Sequence, residues 1–210
     1  MQYYWGPLLG DDYPLENVLF YTDPFFAECR AYGRIQEGQK EKRSREKLAV
    51  KCHGYIFLSK KDEKYLQEQG IDLGRHLLDN KLRQATGGQG RIRAIVKDLA
   101  PENKPINNSN LTEALRKVKQ LNELKIYNRD IRAENFKGPH IVDFGSSWTE
   151  PHCLLAALDK FGDNDSRIVD LAMFDDMIFE EKIKTKLVAM PNLEYREMLR
   201  SSSKKKEKKT

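Results

Sequence analysis

The stretch IYNRDIRAENFKGPHIVDFG constrains the fold more tightly than any other part of the chain. It holds Asp130, Asn135 and Asp143, and only seven residues separate Asn135 from Asp143. A spacer of that length leaves room for short extended pieces around residues 134–137 and 140–142 and for a tight connection between them. The three polar residues are either turn residues that join ordinary elements or ligands that hold a metal and a phosphate.

The order of these residues suits phosphoryl transfer, in which a protein mainly positions groups and neutralises charge. One carboxylate accepts the proton of the acceptor hydroxyl, while a second carboxylate and an amide oxygen hold magnesium, which prefers hard oxygen ligands. Asp130, Asn135 and Asp143 are those residue types in that order. Because Asp143 follows the apolar pair Ile141-Val142, we expect it at the end of a buried strand.

The remaining sequence predicts a mixed architecture. Asp23-Pro24 indicates a helix start, with Asp as N-cap and Pro in the first turn, and Gly38 lies near the predicted end of this helix. Ser109 or Asn110 is expected to cap a second helix, in which four apolar residues share one face: Leu111, Leu115, Val118 and Leu121. The other elements are strands at 48–59 and 91–100, a short helix at 61–70, a turn at 85–90 and helices within 151–161, 166–184 and 192–199. This order predicts an α+β fold with a small sheet side and a helical side.

The combination of D-x-x-x-x-N and D-F-G, behind an amphipathic helix and two strands, resembles the catalytic and magnesium loops of eukaryotic protein kinases. The resemblance implies a protein-kinase-like fold with a helical C-lobe, and ATP and Mg²⁺ as cofactors. It implies Asp130 as the catalytic base, and Asn135 and Asp143 as metal ligands that also bind the cofactor. Arg129 matches the arginine of the motif, and Arg132 stands where protein kinases usually have a lysine that faces the transferred phosphate.

In the kinase fold one helix of the small lobe carries a Glu that pairs with a strand Lys, and Glu28 is the candidate for this cofactor-binding role. Glu28 shares helical spacing with three apolar residues, Phe25, Tyr32 and Ile35. An unpaired carboxylate on such a stripe is costly, so we expect a cation beside it, supplied by Lys51 or Lys97 on the predicted strands. The alternative, in which the helix is rotated and Glu28 is solvated, stays open.

The chain also departs from the kinase pattern. Asn128 replaces the usual His of the catalytic loop, and no segment ending in A-P-E follows Asp143. The first Lys is Lys40, so the glycine-rich loop and the strand Lys expected before residue 23 are missing. Two function classes stay open. One is an active ATP- and Mg²⁺-dependent phosphotransferase whose glycine loop and lysine lie upstream of this fragment. The other, favoured by the missing Lys, is a pseudokinase that serves as an interaction module.

Five segments together resemble a narrower family: DPFFAECRAYGRI, AVKCHGYIFL, RIRAIVKDLA, IYNRDIRAENF and VDFGSSWTEPHCLL. They are similar to fungal Fta-two subunits of the kinetochore Sim-four complex, over about residues 5–200. This resemblance implies protein partners, among them kinetochore subunits, and a nuclear location, with a cytoplasmic one as the alternative. Family members commonly carry further sequence upstream. We therefore expect an incomplete, N-terminally truncated small lobe over residues 1–100 and a C-lobe over 101–200.

The net charge of +5 lies mostly in the C-terminal tail SSSKKKEKKT, residues 201–210, which carries five Lys and one Glu. A nucleic-acid-binding domain normally shows its basic surface on the folded part, so we expect contact with nucleic acid at most through this tail. Such lysine runs are typical of disordered segments. No run approaches the roughly 20 apolar residues of a membrane helix, so no membrane partner is expected.

Several other polar residues have simple interpretations. The three cysteines show neither a disulfide framework nor a zinc pattern and are expected to be small buried hydrophobes. His152, beside Pro151, is expected to be a packed or capping histidine rather than a ligand. Asp170, Asp175 and Asp176 are expected on the solvated face of a late helix.

Overall fold

The computed structural model describes residues 6–10, 13–41, 47–73, 91–100 and 105–190. The turn at 85–90, the helix at 192–199 and the tail at 201–210 lie outside these residues. The helices of the described part are α1 (Gly6–Leu9), α2 (Leu15–Thr22), α3 (Pro24–Lys40), α4 (Lys60–Glu68), α5 (Leu111–Glu123), α6 (Cys153–Ala157) and α7 (Lys160–Glu180).

The strands of the described part are short. They are β1 (Cys52–Phe57), β2 (Arg93–Lys97), β3 (Ile126–Tyr127), β4 (Phe136–Lys137), β5 (His140–Ile141) and β6 (Trp148–Thr149). They form three antiparallel pairs, β1 with β2, β3 with β6 and β4 with β5. The predicted mixed α+β class with a small sheet side is therefore confirmed.

Helix α3 begins where the sequence predicts. The carboxylate of Asp23 accepts hydrogen bonds from the N–H groups of Phe25 at 2.9 Å and Phe26 at 3.4 Å, which satisfies two N–H groups of the first turn. The helix ends at Lys40, two residues after Gly38, so the prediction that Gly38 lies near its end is confirmed. Gly38 is buried, and a Cβ atom added there would lie 2.7 Å from Cδ2 of Leu124. This glycine therefore permits a close contact and does not end the helix.

Helix α5 buries the predicted apolar stripe. Its four members are at most 5% exposed: Leu111, Leu115, Val118 and Leu121. Asn110 occupies the N-cap position, but its side chain makes no cap hydrogen bond. Its Oδ1 instead accepts from the N–H of Asn107 at 2.9 Å, within the preceding turn. The predicted cap hydrogen bond from the side chain of Ser109 or Asn110 is therefore wrong, whereas the predicted start of the helix is confirmed.

The hydrophobic core joins α3, α5 and α7 to the segment between α5 and β6, residues 124–147, here called the polar loop. Phe136, Phe144 and Phe174 are fully buried in it. The ring of Phe136 packs edge-to-face on Phe174 at 6.2 Å, and the ring of Phe144 packs on Tyr32 at 5.3 Å. Because Phe144 directly follows Asp143, this packing fixes the backbone that presents the Asp143 carboxylate.

Helix α7 corrects the prediction for the late aspartates. Asp170 is 1% exposed and Asp175 is 9% exposed, and only Asp176 is on the solvated face. The carboxylate of Asp175 accepts hydrogen bonds from the N–H groups of Ala189 at 2.8 Å and Met190 at 3.2 Å. A buried backbone N–H without an acceptor is costly, so a buried aspartate can serve as its partner.

Two further features bear on the sequence predictions. The three cysteines are free, as expected, but each is only partly buried. None of the helices in the described ranges combines the length and the apolar character that a membrane span requires.

Candidate functional site

The polar loop between α5 and β6 has an unusual backbone at two positions, Lys125 and Arg129. Arg129 has φ of +63°, a left-handed conformation that side chains other than glycine rarely adopt. The carboxylate of Asp170 accepts hydrogen bonds from the N–H groups of Asn128 and Arg129, each at 2.7 Å, and from the Asn122 side chain at 2.8 Å. Burial raises the pKa of Asp170, and these three donors oppose the rise. One buried carboxylate of α7 therefore holds this turn of the loop.

The side chains of Asn128, Asp130 and Asn135 link the first part of the loop, which carries Asp130, to the second part, which carries Asp143. The Asn135 amide nitrogen donates to the backbone oxygen of Asp130 at 2.9 Å and to its Oδ2 at 2.8 Å. The N–H of Asp130 donates to Oδ1 of Asn128 at 3.1 Å, and the Asn128 amide donates to the backbone oxygen of Asp143 at 2.7 Å. Asn128 thus connects the segment that carries Asp130 to the segment that carries Asp143.

The second half of the loop is the predicted tight hairpin. Strands β4 and β5 pair through Phe136 with Ile141 and Lys137 with His140, and Gly138 in the connection has φ of +61°. The Asp143 side chain is exposed, and its Oδ1 accepts from the N–H of Gly145 at 2.7 Å.

Helix α3 begins directly beside this hairpin. A Cβ atom added at Gly145 would lie 3.3 Å from Cβ of Pro24. Glycine at this position therefore allows the start of α3 to approach the loop closely.

Glu28 has the cationic partner that its apolar stripe requires. Nζ of Lys97 lies 2.7 Å from Oε1 of Glu28 and also donates to the backbone oxygen of Val142 at 2.8 Å. Burial is the main cause that raises the pKa of Glu28, and Lys97 opposes this effect. The alternative with a solvated Glu28 is excluded, because its side chain is only 12% exposed. Of the two predicted lysines, Lys97 is the partner, whereas Lys51 is exposed.

A cavity of about 540 Å³ lies between β2, the start of α3 and the polar loop. Its charged lining consists of Glu28, Arg93, Lys97, Asp130, Arg132 and Asp143. Four of the five site residues predicted from the sequence therefore line one cavity: Glu28, Asp130, Arg132 and Asp143. The fifth, Asn135, is 7% exposed and is not part of the lining; it contacts the cavity through Asp130.

Arg132 lies at this cavity as a partner of Asp130. Its Nη2 is 3.1 Å from Oδ2 of Asp130, and its Nε is 4.0 Å from Oε2 of Glu134. The Arg132 side chain is 58% exposed, so both ion pairs are accessible to water and weak. A phosphate group that enters the cavity can compete with Asp130 for this guanidinium.

Arg129 does not reach the cavity lining. Its guanidinium stacks over the Trp148 ring, with Cζ 3.6 Å from the ring centroid, and burial lowers its pKa. A second neighbour of Trp148 is His152, whose ring stacks on it with the centroids 4.9 Å apart. His152 caps α6, since its Nδ1 accepts from the N–H of Leu154 at 3.3 Å. The prediction of a packed, capping histidine is confirmed.

The oxygen donors of the site match Mg²⁺ in chemical kind. Asp143 offers a carboxylate at the cavity, and Asn135 retains an amide oxygen, both of which are hard ligands. Within the described ranges, no group of three or more His, Cys, Asp or Glu side chains converges as a ready-made metal site. A magnesium ion here would therefore take phosphate oxygens or waters as its remaining ligands.

Two lining or supporting groups were not singled out from the sequence. Arg93 lines the cavity and pairs with Asp23 at 2.8 Å. The sequence does contain a pattern that could have indicated Arg93. Alternate residues of a strand share a face, so Arg93 and Ile95 are expected on the same face as Lys97. Asp170 carried no comparable signal, since its partners are backbone groups about 40 residues upstream.

The fold and the cavity define a mixed α+β domain in which a strand lysine, a helix glutamate and two loop aspartates surround one cavity. Residues 4–148, more than half of the chain, match the family model described as kinetochore Sim4 complex subunit FTA2. The chain belongs to this family. The matched range contains all five predicted site residues. No curated protein and no solved structure matches the chain.

Proposed function

We propose that this protein is a pseudokinase, a protein-kinase-like domain with a degenerate small lobe, that acts as an interaction subunit of a nuclear kinetochore assembly. Membership of the kinetochore Sim4 complex subunit FTA2 family supports the assembly and the location. The cavity supports the relation to kinases. The observation that carries it is the Lys97–Glu28 pair, at 2.7 Å, at the same cavity as Asp130 and Asp143.

The residues of the cavity have the chemistry that binding of Mg²⁺-ATP requires. Asp143 and Asn135 would hold the metal ion, which neutralises phosphate charge when bound. Lys97 and Arg132 would attract the phosphates, and Glu28 would keep Lys97 in place. Asp130, whose Oδ2 accepts a hydrogen bond from the Asn135 amide, would act as the base toward an acceptor hydroxyl. We propose that nucleotide binding is the part of this chemistry that the protein retains.

Two observations favour a pseudokinase over an enzyme. In kinases a glycine-rich hairpin of two strands precedes this helix. Among the described residues before α3 there are helices but no strand, so these residues form no such hairpin over the cavity. In addition, Asn128 stands where the kinase catalytic loop usually has a His. The second candidate, an active phosphotransferase completed by an upstream glycine loop and lysine, is favoured only by the Asn135–Asp130 hydrogen bonds.

Nucleotide binding and transfer can be measured on the same purified protein. A ligand that binds only the folded state raises the melting temperature by mass action. We expect a rise with millimolar Mg²⁺-ATP in the wild type and none in Asp143→Asn. The control is Asp165→Asn, because Asp165 is exposed on α7 and outside the cavity lining. An unchanged wild-type melting temperature would remove the nucleotide from the proposal.

A phosphate-transfer assay separates the two candidates. Incubation with γ-labelled ATP and general acceptor proteins should give no labelling above background. Labelling that disappears in Asp130→Asn would establish the phosphotransferase instead.

The proposed role in a kinetochore assembly is tested by imaging the tagged protein in its native host beside a centromere marker, where we expect coincident foci in the nucleus. A uniform distribution would contradict the kinetochore role.

A further inference from the structure

A second concave surface lies along the C-terminal half of α7. It is a groove of about 1070 Å³ between α7 and the following segment, residues 182–190, here called the return segment. Six apolar side chains of its lining illustrate its character: Val169, Met173 and Phe179 on α7, and Ile183, Leu187 and Met190 on the return segment. The groove lies outside the range of the family match and shares no residue with the candidate site.

The groove is a preformed part of the fold. At one end of the return segment, the N–H of Ile183 donates to the backbone oxygen of Ile178 at 3.0 Å. At the other end, Asp175 accepts from Ala189 at 2.8 Å and from Met190 at 3.2 Å. Because both ends of the return segment are tied to α7, an occupant would not have to organise the groove first.

The groove exposes a large aromatic side chain. Phe179 is 79% exposed although most of the side chains around it in the groove are apolar. Burial of an aromatic ring against apolar side chains is favourable. An occupant that covers Phe179 would therefore gain free energy of binding from the burial of this ring.

The two walls of the groove carry opposite charges. Asp176 lines it from α7, and Lys182 lines it from the return segment. Lys184 and Lys186 are exposed on the same segment. An occupant that complements both walls carries acidic residues along one flank and basic residues along the other.

We propose that this groove binds an amphipathic α-helix of another protein subunit. The apolar face of that helix would cover Phe179, its acidic flank would face the lysines of the return segment, and its basic flank would face Asp176. An α-helix about 10 Å wide suits a concave apolar groove. A second copy paired groove to groove by two-fold symmetry would leave an unfilled space between the two concave surfaces, which packing disfavours. The inference rests on the proposed role as a subunit of an assembly.

The test places a photo-crosslinking amino acid, benzoylphenylalanine, at position 179 or 161 of the full chain in its native host. Phe161 is a matched control, because it lies on the same helix and is 81% exposed, but it does not line the groove. We expect crosslinks at position 179, at least about fivefold above those at position 161. Their mapped peptides should come from a helix of another protein with the stated charge pattern.

Charge reversal of one wall gives an independent measurement. The triple variant Lys182→Glu, Lys184→Glu and Lys186→Glu should lower the crosslink yield at position 179 about tenfold, if each exposed ion pair contributes its usual small share. The control is Lys60→Glu, Lys61→Glu and Lys64→Glu on α4, which changes the net charge equally at exposed positions away from the groove. This control should leave the yield unchanged.

Each other result overturns the proposal. Crosslinks from position 179 to residues 191–210 of the same chain would show that the chain covers its own groove. Crosslinks to position 179 of a second copy would show self-association, and yields equal to those at position 161 would show an unoccupied surface. Failure of the kinetochore role is distinguishable, because centromere imaging does not depend on the groove and crosslinking does not depend on location.

Discussion

Nζ of Lys97 lies 2.7 Å from Oε1 of Glu28, although the two residues are 69 positions apart and the lysine follows the glutamate in the chain. The same Nζ donates to the backbone oxygen of Val142 at 2.8 Å. One lysine on β2 therefore joins α3 to the hairpin that presents Asp143. This contact makes Lys97 a structural link between three elements as well as the cation of the cavity.

The first prediction concerns this pair. Lys97→Met should lower the free energy of unfolding by about 2 kcal/mol at pH 7, because it leaves a poorly exposed carboxylate without its cation. The loss should be smaller near pH 4.5. Burial already raises the pKa of Glu28, and without Lys97 this carboxyl group can avoid the penalty by taking up a proton at low pH. Urea unfolding at the two pH values measures both effects.

Lys51→Met is the matched control, since Lys51 is exposed and was the alternative partner of Glu28 in the sequence prediction. It should change the free energy of unfolding by less than about 0.5 kcal/mol, as surface substitutions usually do. Equal losses in the two variants would show that the pair contributes nothing specific.

Local patterns explain which parts of the site were predictable. Glu28 lies on an apolar helix stripe, so its need for a cation follows from spacing and the cost of a buried charge. The seven residues between Asn135 and Asp143 allow little except a short hairpin, and the structure contains one. The choice of Lys97 over Lys51 depended on which strand face meets α3, and spacing within each strand does not determine that.

Other parts depended on contacts between distant segments. The helical period identifies the face of Asp170, but it does not reveal backbone N–H groups of Asn128 and Arg129 about 40 residues upstream. Those N–H groups need an acceptor because a backbone N–H removed from water without a partner is costly. The sequence therefore predicts solvent-exposed side chains for Asp170, Asp175 and Asp176, since charged side chains are usually exposed.

The second prediction tests the role of Asp170. Asp170→Asn should lower the free energy of unfolding by about 2–4 kcal/mol, because an amide has one acceptor oxygen for the three donors that now share two. Asp176→Asn on the exposed side of the same helix should cost less than about 0.5 kcal/mol. Thermal or urea unfolding of the two variants gives the comparison, and a loss below 1 kcal/mol for Asp170→Asn would contradict the assigned role.

The third prediction uses two glycines of α3. Gly33 is exposed, and a Cβ atom added there has no neighbour within 4 Å. Gly33→Ala should therefore stabilise the protein by about 0.5–1 kcal/mol through helix propensity. Gly38→Ala gains the same propensity but brings its Cβ to 2.7 Å from the buried Leu124, so it should be destabilising or neutral. A gain equal to that of Gly33→Ala would show that α3 does not pack on Leu124 as described.

The last prediction concerns pH and His152. Burial lowers the pKa of His152 from 6.5 to about 3, and the charge of Arg30 adds to this effect, while the hydrogen bond to the Tyr21 backbone oxygen opposes it. The folded protein therefore keeps His152 neutral where an unfolded chain would protonate it. As the pH falls from about 6.5 toward 3, the unfolded state binds more protons, and stability is lost with a limiting slope of about 1.4 kcal/mol per pH unit. Above pH 6.5 this contribution is fully present.

His152→Asn isolates this effect, because asparagine can accept the cap hydrogen bond of α6 but does not titrate. We expect the free energy of unfolding of the wild type to fall relative to that of the variant between pH 6.5 and pH 4, with a constant difference between pH 7 and pH 8. Other titrating groups cancel in this comparison, since both proteins contain them. Parallel stability curves over the whole range would show that His152 is accessible to protons in the folded state and that its stack on Trp148 is open.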